Sequence, residues 1–288
     1  MLRTSGLTKE FGGLRAVDDV DFALDSDELC SLIGPNGAGK TTFFNLLTGV
    51  LTPTAGTVEV RDGGGERTGG SRASSDESDG RWRDVTDATP YETAGLGLHR
   101  SYQITNVFPT STVLENVRVA AQAASNDPVK LWRNAKAFTE HREEAYAILD
   151  RVGLAEQAHA TAENLSHGEK RQLEVAIALA GDPDVLLLDE PNAGVSSESV
   201  DQIIDLIEDV ATDHAVLLVE HNMDIVMNVS DRIVVLNQGA VIADGTPNEV
   251  RGDPAVQEAY LGGYEPGNIS RKQGAESDAP TDSEEGTA

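Results

Sequence analysis

Leu32-Ile-Gly-Pro-Asn-Gly-Ala-Gly-Lys-Thr-Thr42 stands between an apolar run and a helical pattern, and from Gly34 it spells Gly-x4-Gly-Lys-Thr. A loop of this composition binds phosphate when a strand leads into it and a helix opens from it, and both are predicted here. Its glycines let successive backbone N–H groups turn inward around phosphate oxygens, and the helix N-terminus adds positive potential. Gly34, Pro35, Asn36, Gly37, Ala38, Gly39, Lys40, Thr41 and Thr42 are therefore the candidate nucleotide-binding residues. Lys40 is the side chain to reach the β- and γ-phosphates, and the Thr41 hydroxyl is a candidate ligand for Mg²⁺.

Outward from this loop, apolar runs alternate with helical patterns, the signature of an α/β domain with a mainly parallel sheet. Strands are expected at Val17–Leu24, Leu29–Ile33, Thr57–Arg61, Val185–Asp189, Ala215–Glu220 and Arg232–Asn237. Those at 185 and 215 are almost wholly apolar, as central strands covered on both faces are. Asn237-Gln-Gly-Ala240 reads as the turn of a hairpin with Val241–Ala243 at the sheet's far end. Helices are expected at Lys40–Thr48, Gly168–Ala180, Ser197–Val210 and Pro254–Leu261. Val113–Ala124 and Thr139–Val152 add a helical block before the later α/β half. Residues 62–80 and 265–288 are rich in Gly, Ser and charge, so they hold too little apolar surface to order themselves.

Val185-Leu-Leu-Leu-Asp-Glu-Pro191 is an apolar strand ending in two carboxylates. Asp189, at the strand's C-terminal end, can hold Mg²⁺ directly or through water. Glu190 can orient and polarise an attacking water as general base.

The chain has 49 Asp and Glu against 22 Lys and Arg, a net charge of −27. That balance disfavours a nucleic-acid partner and unaided docking on an anionic membrane. Residues 265–288 carry −4 and 62–90 carry −3, which leaves −20 on the rest. The bases are 16 Arg and only 6 Lys. An acidic, Lys-poor body suggests a halophilic protein, because self-repulsion of that size is tolerable when screened. The single cysteine, Cys30, excludes an internal disulfide or a Cys-based metal site. No apolar stretch suits a signal peptide or approaches the ~18 residues of a membrane span, so a cytoplasmic location is expected.

Asn164-Leu-Ser-His-Gly-Glu-Lys-Arg-Gln-Leu-Glu-Val-Ala176 lies just upstream of the Asp-Glu strand. Ser166 and Gly168 suit a helix N-terminus that caps a phosphate from outside. At this point the chain resembles the ATP-binding cassette (ABC) ATPases. Leu165–Glu169 looks like the family's signature motif, with His167 where Gly is commoner and Glu169 where Gln is commoner. The fold this implies is an α/β P-loop NTPase cassette over residues 1–264. It would have an inserted helical subdomain at about 104–180, an antiparallel β subdomain and an acidic tail, 265–288. Gln103 matches the glutamine loop that senses Mg²⁺ and the transmembrane partner. His221 matches the switch histidine that contacts the γ-phosphate, and it follows a central strand, where such sheets place ligand chemistry. Phe11 fits the aromatic that stacks on adenine. Asn192–Ser196 occupies the D-loop position and lacks the Asp that many members have there.

The resemblance further implies a homodimer, or a heterodimer with a second ABC ATPase subunit, burying ATP between one phosphate loop and the other subunit's Ser166, Gly168 and Glu169. Transmembrane permease subunits, and indirectly an external substrate-binding protein, would be its partners at the cytoplasmic face of the membrane. The stretches Thr8–Val17, Phe43–Gly49, Glu220–Asp224 and Glu258–Gly262 are similar to the branched-chain amino-acid importers, with urea or amide importers as the alternative. A soluble repair or translation ABC ATPase is disfavoured by the single cassette and the absence of a long coiled coil. A catalytically dead cassette is disfavoured by intact Lys40, Asp189, Glu190 and His221.

Overall fold

The computed structural model describes residues 1–61, 81–101, 107–124, 135–195 and 197–259. In chain order these form β1 (Leu2–Phe11), β2 (Leu14–Leu24), β3 (Leu29–Ile33), α1 (Lys40–Leu47), β4 (Ala55–Arg61) and β5 (Trp82–Asp84). Then come α2 (Pro90–Gly95), β6 (Leu98–Ser101), α3 (Val113–Ala124), α4 (Ala135–Arg151), α5 (His167–Leu179) and β7 (Val185–Asp189). The chain continues with α6 (Ser197–Ala211), β8 (Ala215–Val219), α7 (Met223–Val229), β9 (Arg232–Asn237), β10 (Ala240–Gly245), α8 (Pro247–Gly252) and α9 (Pro254–Ala259). Gln103, residues 62–80 and residues 265–288 lie outside the described residues.

Two sheets carry the architecture. One is antiparallel, in the order β2-β1-β4-β5; the other runs β10-β9-β3-β8-β7-β6 and is parallel apart from its edge strand β10. Every residue of β3, β7 and β8 is buried, and their alternation splits them between two cores. Leu186, Leu188, Val216 and Leu218 face α3, α4, α5 and α6. Val185, Leu187, Ala215, Leu217 and Val219 face α1 and the antiparallel sheet. There Phe43 of α1 meets Phe22 of β2 edge to face, with centroids 5.6 Å apart. This continuous apolar character makes the central strands legible in the sequence.

The expected strands and helices form, with ends shifted by a few residues, and the last two residues of the expected helix Pro254–Leu261 lie outside the described residues; several elements exist that periodicity did not announce. In β1 the alternation is broken by register shifts against β2 between Thr4 and Leu7 and again on both sides of Lys9. The edge strand β6 is polar, with Leu98 and Ser101 buried and His99 and Arg100 between them. It pairs parallel to β7, so α3, α4 and α5 are inserted between two strands that are neighbours in space. β5 is three residues long, and α2, α7 and α8 are six or seven.

Candidate active site

The register of the parallel sheet brings the sequence motifs together. Leu32 of β3 pairs with Val219 of β8, and Val219 pairs with Asp189 of β7. The residues that leave these strands next, Gly34, Glu190 and Glu220-His221, therefore emerge along one edge. This is the carboxyl edge, where open α/β sheets hold ligands.

The loop after β3 has the shape a phosphate cradle needs. A Cβ on Gly34 would lie 2.1 Å from the Leu236 carbonyl oxygen, and one on Gly39 would lie 2.2 Å from that of Ala16. Gly39 also sits at φ 108, in the left-handed region, as it hands the chain to α1. Backbone bonds from Gly239 to Ala38 (2.9 Å) and from Asp18 to Gly239 (2.9 Å) tie the loop to the β9–β10 turn and to β2. Asn36, Gly37 and Thr41 are exposed, Pro35 and Thr42 half-buried. Lys40 is buried and donates to the carbonyls of Gly34 (2.6 Å) and Pro35 (3.2 Å). Burial pushes its ammonium below the usual lysine range, against the raising effect of the Glu190 and Asp189 carboxylates. A cation so placed, in a glycine-rich loop that opens α1, fits a polyphosphate.

Glu190 follows Asp189 with φ 50, a left-handed backbone that costs a non-glycine residue about 1 kcal/mol. The residue before a proline ordinarily takes extended backbone, so Glu190 beside Pro191 is held where local preference would not leave it. Its Oε1 lies 2.5 Å from His221 Nε2, and its amide donates to the Val219 carbonyl (2.9 Å). Both side chains keep access to solvent. The candidate base and the candidate switch histidine are thus in direct contact, beside a cavity of about 190 Å³ that is lined by Glu190, Asn192, Glu220 and His221 among others.

Two residues that sequence reasoning assigned no role complete the arrangement. Arg100 Nη2 donates to Asp189 Oδ2 at 2.6 Å, and its Nη1 donates to Asn45 Oδ1 of α1 at 2.7 Å. Its guanidinium also lies over the Phe44 ring. Both ends of the ion pair are 7–8% exposed. The only hint was an arginine three residues before Gln103. Glu220, buried at the end of β8, accepts from the Asn192 amide, Asn192 Nδ2 and the His221 amide.

The remaining candidates stand apart. Phe11 is 45% exposed at the β1–β2 turn, with Lys9 Nζ over its ring, so a face remains to stack on a base. Ser166 caps α5: its hydroxyl accepts from the Glu169 amide (3.3 Å), and Glu169 accepts in return from the Ser166 amide (2.8 Å). Gln157 donates to the other Glu169 oxygen (3.2 Å), and Gly168 is buried. Among the described residues no hydrogen bond joins Ser166 or Glu169 to the phosphate loop. Ser166 and His167, at the start of α5, are exposed.

Residues 17–193 match the sequence pattern of the ABC transporter family. The chain belongs to that family. As an ABC cassette it is an ATPase. Residues 240–266 match a second pattern, that of the branched-chain amino acid ATP-binding cassette transporter. The chain is 38% identical over 269 residues to the high-affinity branched-chain amino acid transport ATP-binding protein LivG of Salmonella typhimurium, covering 91% of this chain and 98% of that one. It is equally similar, 38% over 270 residues with the same coverage, to BraF of Pseudomonas aeruginosa, which carries the same description. A crystal structure of the ADP conformation of an ABC transporter's ATP-binding cassette superposes with a TM-score of 0.73 at 29% identity, covering 91% of this chain and 98% of that one.

Proposed function

We propose that this ABC cassette powers an importer of branched-chain amino acids. What carries the reading is that the similarity to LivG runs through 98% of that protein, and that residues 240–266 separately match the branched-chain amino acid cassette pattern. The cassette would lie at the cytoplasmic face of the membrane, paired with itself or a second cassette and docked on permease subunits. Among the described residues no helix is long and apolar enough to cross a membrane, so the path for substrate belongs to those subunits.

The residues divide the work as follows. Phe11 stacks on adenine, and the amides of the 34–42 loop with Lys40 bind the phosphates. Thr41 and Asp189 supply hard oxygen ligands that fit Mg²⁺; a bound Mg²⁺ would neutralise phosphate charge. Glu190 takes the proton from the attacking water, His221 contacts the γ-phosphate, and Gln103 couples the site to the permease. Ser166, Gly168 and Glu169 close on the ATP of the opposing subunit.

Deleting the gene is expected to abolish high-affinity uptake of radiolabelled leucine, isoleucine and valine. Uptake should return with the intact chain and not with Glu190→Gln. Normal leucine uptake combined with lost uptake of urea or an amide would move the assignment to that importer class.

We also propose that the −27 charge adapts the protein to concentrated salt. Like charges on a body of −20 repel over about 30 Å at 0.01 M salt and over about 3 Å at 1 M. The thermal midpoint is therefore expected to fall steadily as KCl is dialysed from molar to millimolar concentration. A midpoint independent of KCl would remove the adaptation reading.

A further inference from the structure

Asn192 lies two residues beyond the catalytic carboxylate, and His221 lies immediately after β8. These segments come from different strand ends, and the Glu190–His221 contact depends on their relative placement. Between them sits Glu220, 4% exposed, a carboxylate the proposed chemistry does not use. Its Oε1 accepts from the Asn192 amide (3.2 Å) and from Asn192 Nδ2 (3.0 Å), and its Oε2 accepts from the His221 amide (3.2 Å). A buried carboxyl group needs such donors in place of water, and each bond fixes direction as well as distance.

We propose that Glu220 is a positioning residue for ATP hydrolysis, a strut that ties the segment after Glu190 to the switch histidine. The inference rests on the roles proposed for Glu190 and His221. Glu190 is held at φ 50, so its own backbone preference does not keep it facing His221. Two anchors do: its amide bonded to Val219, and the strut from Asn192 through Glu220 to the His221 amide. In this chain, whose D-loop position lacks the customary Asp, Asn192 supplies a side-chain donor to that strut.

Glu220→Gln separates the strut from the fold. The amide is the same size, and its carbonyl oxygen can still serve one side. Whichever way it turns, its NH₂ faces an N–H on the other side, donor against donor. Turnover should fall about tenfold while KM for ATP stays within about twofold, because the phosphate loop is untouched. The His221 amide proton should move in the NMR spectrum, a change that loss of stability alone does not produce in the folded population. Asn192→Ala removes one of the three donors and should lower kcat about threefold. If Glu220→Gln does not fold, Asn192→Ala decides alone: a lowered kcat at constant KM supports the strut, and an unchanged kcat overturns it. Wild-type kcat in a folded Glu220→Gln, or a raised KM at constant kcat, also overturns it. Glu190→Gln run beside them keeps the two readings apart: normal turnover there would strike the general-base role, whereas collapse there with normal Glu220→Gln would strike the strut alone.

Discussion

Glu190→Gln is expected to leave ATP binding intact and to slow hydrolysis by about 10²–10⁴-fold, the range that a positioned general base supplies. The substitution is unusually clean at this position. Gln has the same length and meets the same cost at φ 50, so the turn after β7 has no reason to rearrange. The 2.5 Å contact with His221 Nε2 also survives, since an amide can donate or accept and therefore suits either imidazole tautomer. What disappears is the capacity to take a proton from water. An ATP-bound pair that forms and cannot hydrolyse should accumulate, and size-exclusion chromatography with ATP should show a dimer for the variant at concentrations where the unaltered chain runs as a monomer. Turnover at the wild-type rate would refute the role given to Glu190. Weakened ATP binding at unchanged kcat would instead make it a ground-state contact.

The motifs of this site were legible because each is local. Gly34–Thr42 and Asp189–Glu190 sit at the ends of strands whose every residue is apolar or buried, so both the chemistry and its structural setting could be read from a dozen consecutive residues. The same continuity exposed β3, β7 and β8. It failed for β6, three of whose four residues are polar and whose place is set by pairing with β7 across an inserted helical segment. Helices α2 and α8 carried readable signals, the capping boxes Thr89-Pro-Tyr-Glu92 and Thr246-Pro-Asn-Glu249, but at six residues each they are too short to show periodicity. Arg100 and Glu220 were missed for another reason. Arg100 meets Asp189 across 89 residues and Glu220 meets Asn192 across 28, and only the order of strands in the sheet makes those pairs neighbours.

Replacing Arg100 should have the largest effect on stability of any change near the site. The Arg100–Asp189 pair is buried at both ends, and Arg100 reaches at the same time to Asn45 on the helix that begins with Lys40. Arg100→Met leaves Asp189 as a buried carboxylate without its guanidinium, a loss of about 3–5 kcal/mol for pairs of this kind. For a chain of 288 residues that corresponds to a thermal midpoint lowered by about 10 °C. Arg100→Lys should recover part of the charge but not the two-way fork, since one ammonium cannot replace two divergent N–H donors. The decisive comparison is the double variant Arg100→Met with Asp189→Asn. Most of the cost in the single variant comes from the stranded charge, so removing that charge should raise the midpoint again although the candidate metal ligand is gone. A single variant melting within a degree or two of the unaltered chain, or a double variant less stable than either single, would show that Arg100 does not stabilise Asp189. If the predicted pattern holds, Arg100 joins Asp189, the candidate metal ligand, to the strand that ends two residues before Gln103. The segment proposed to address the permease would then begin at a residue already in contact with the nucleotide site.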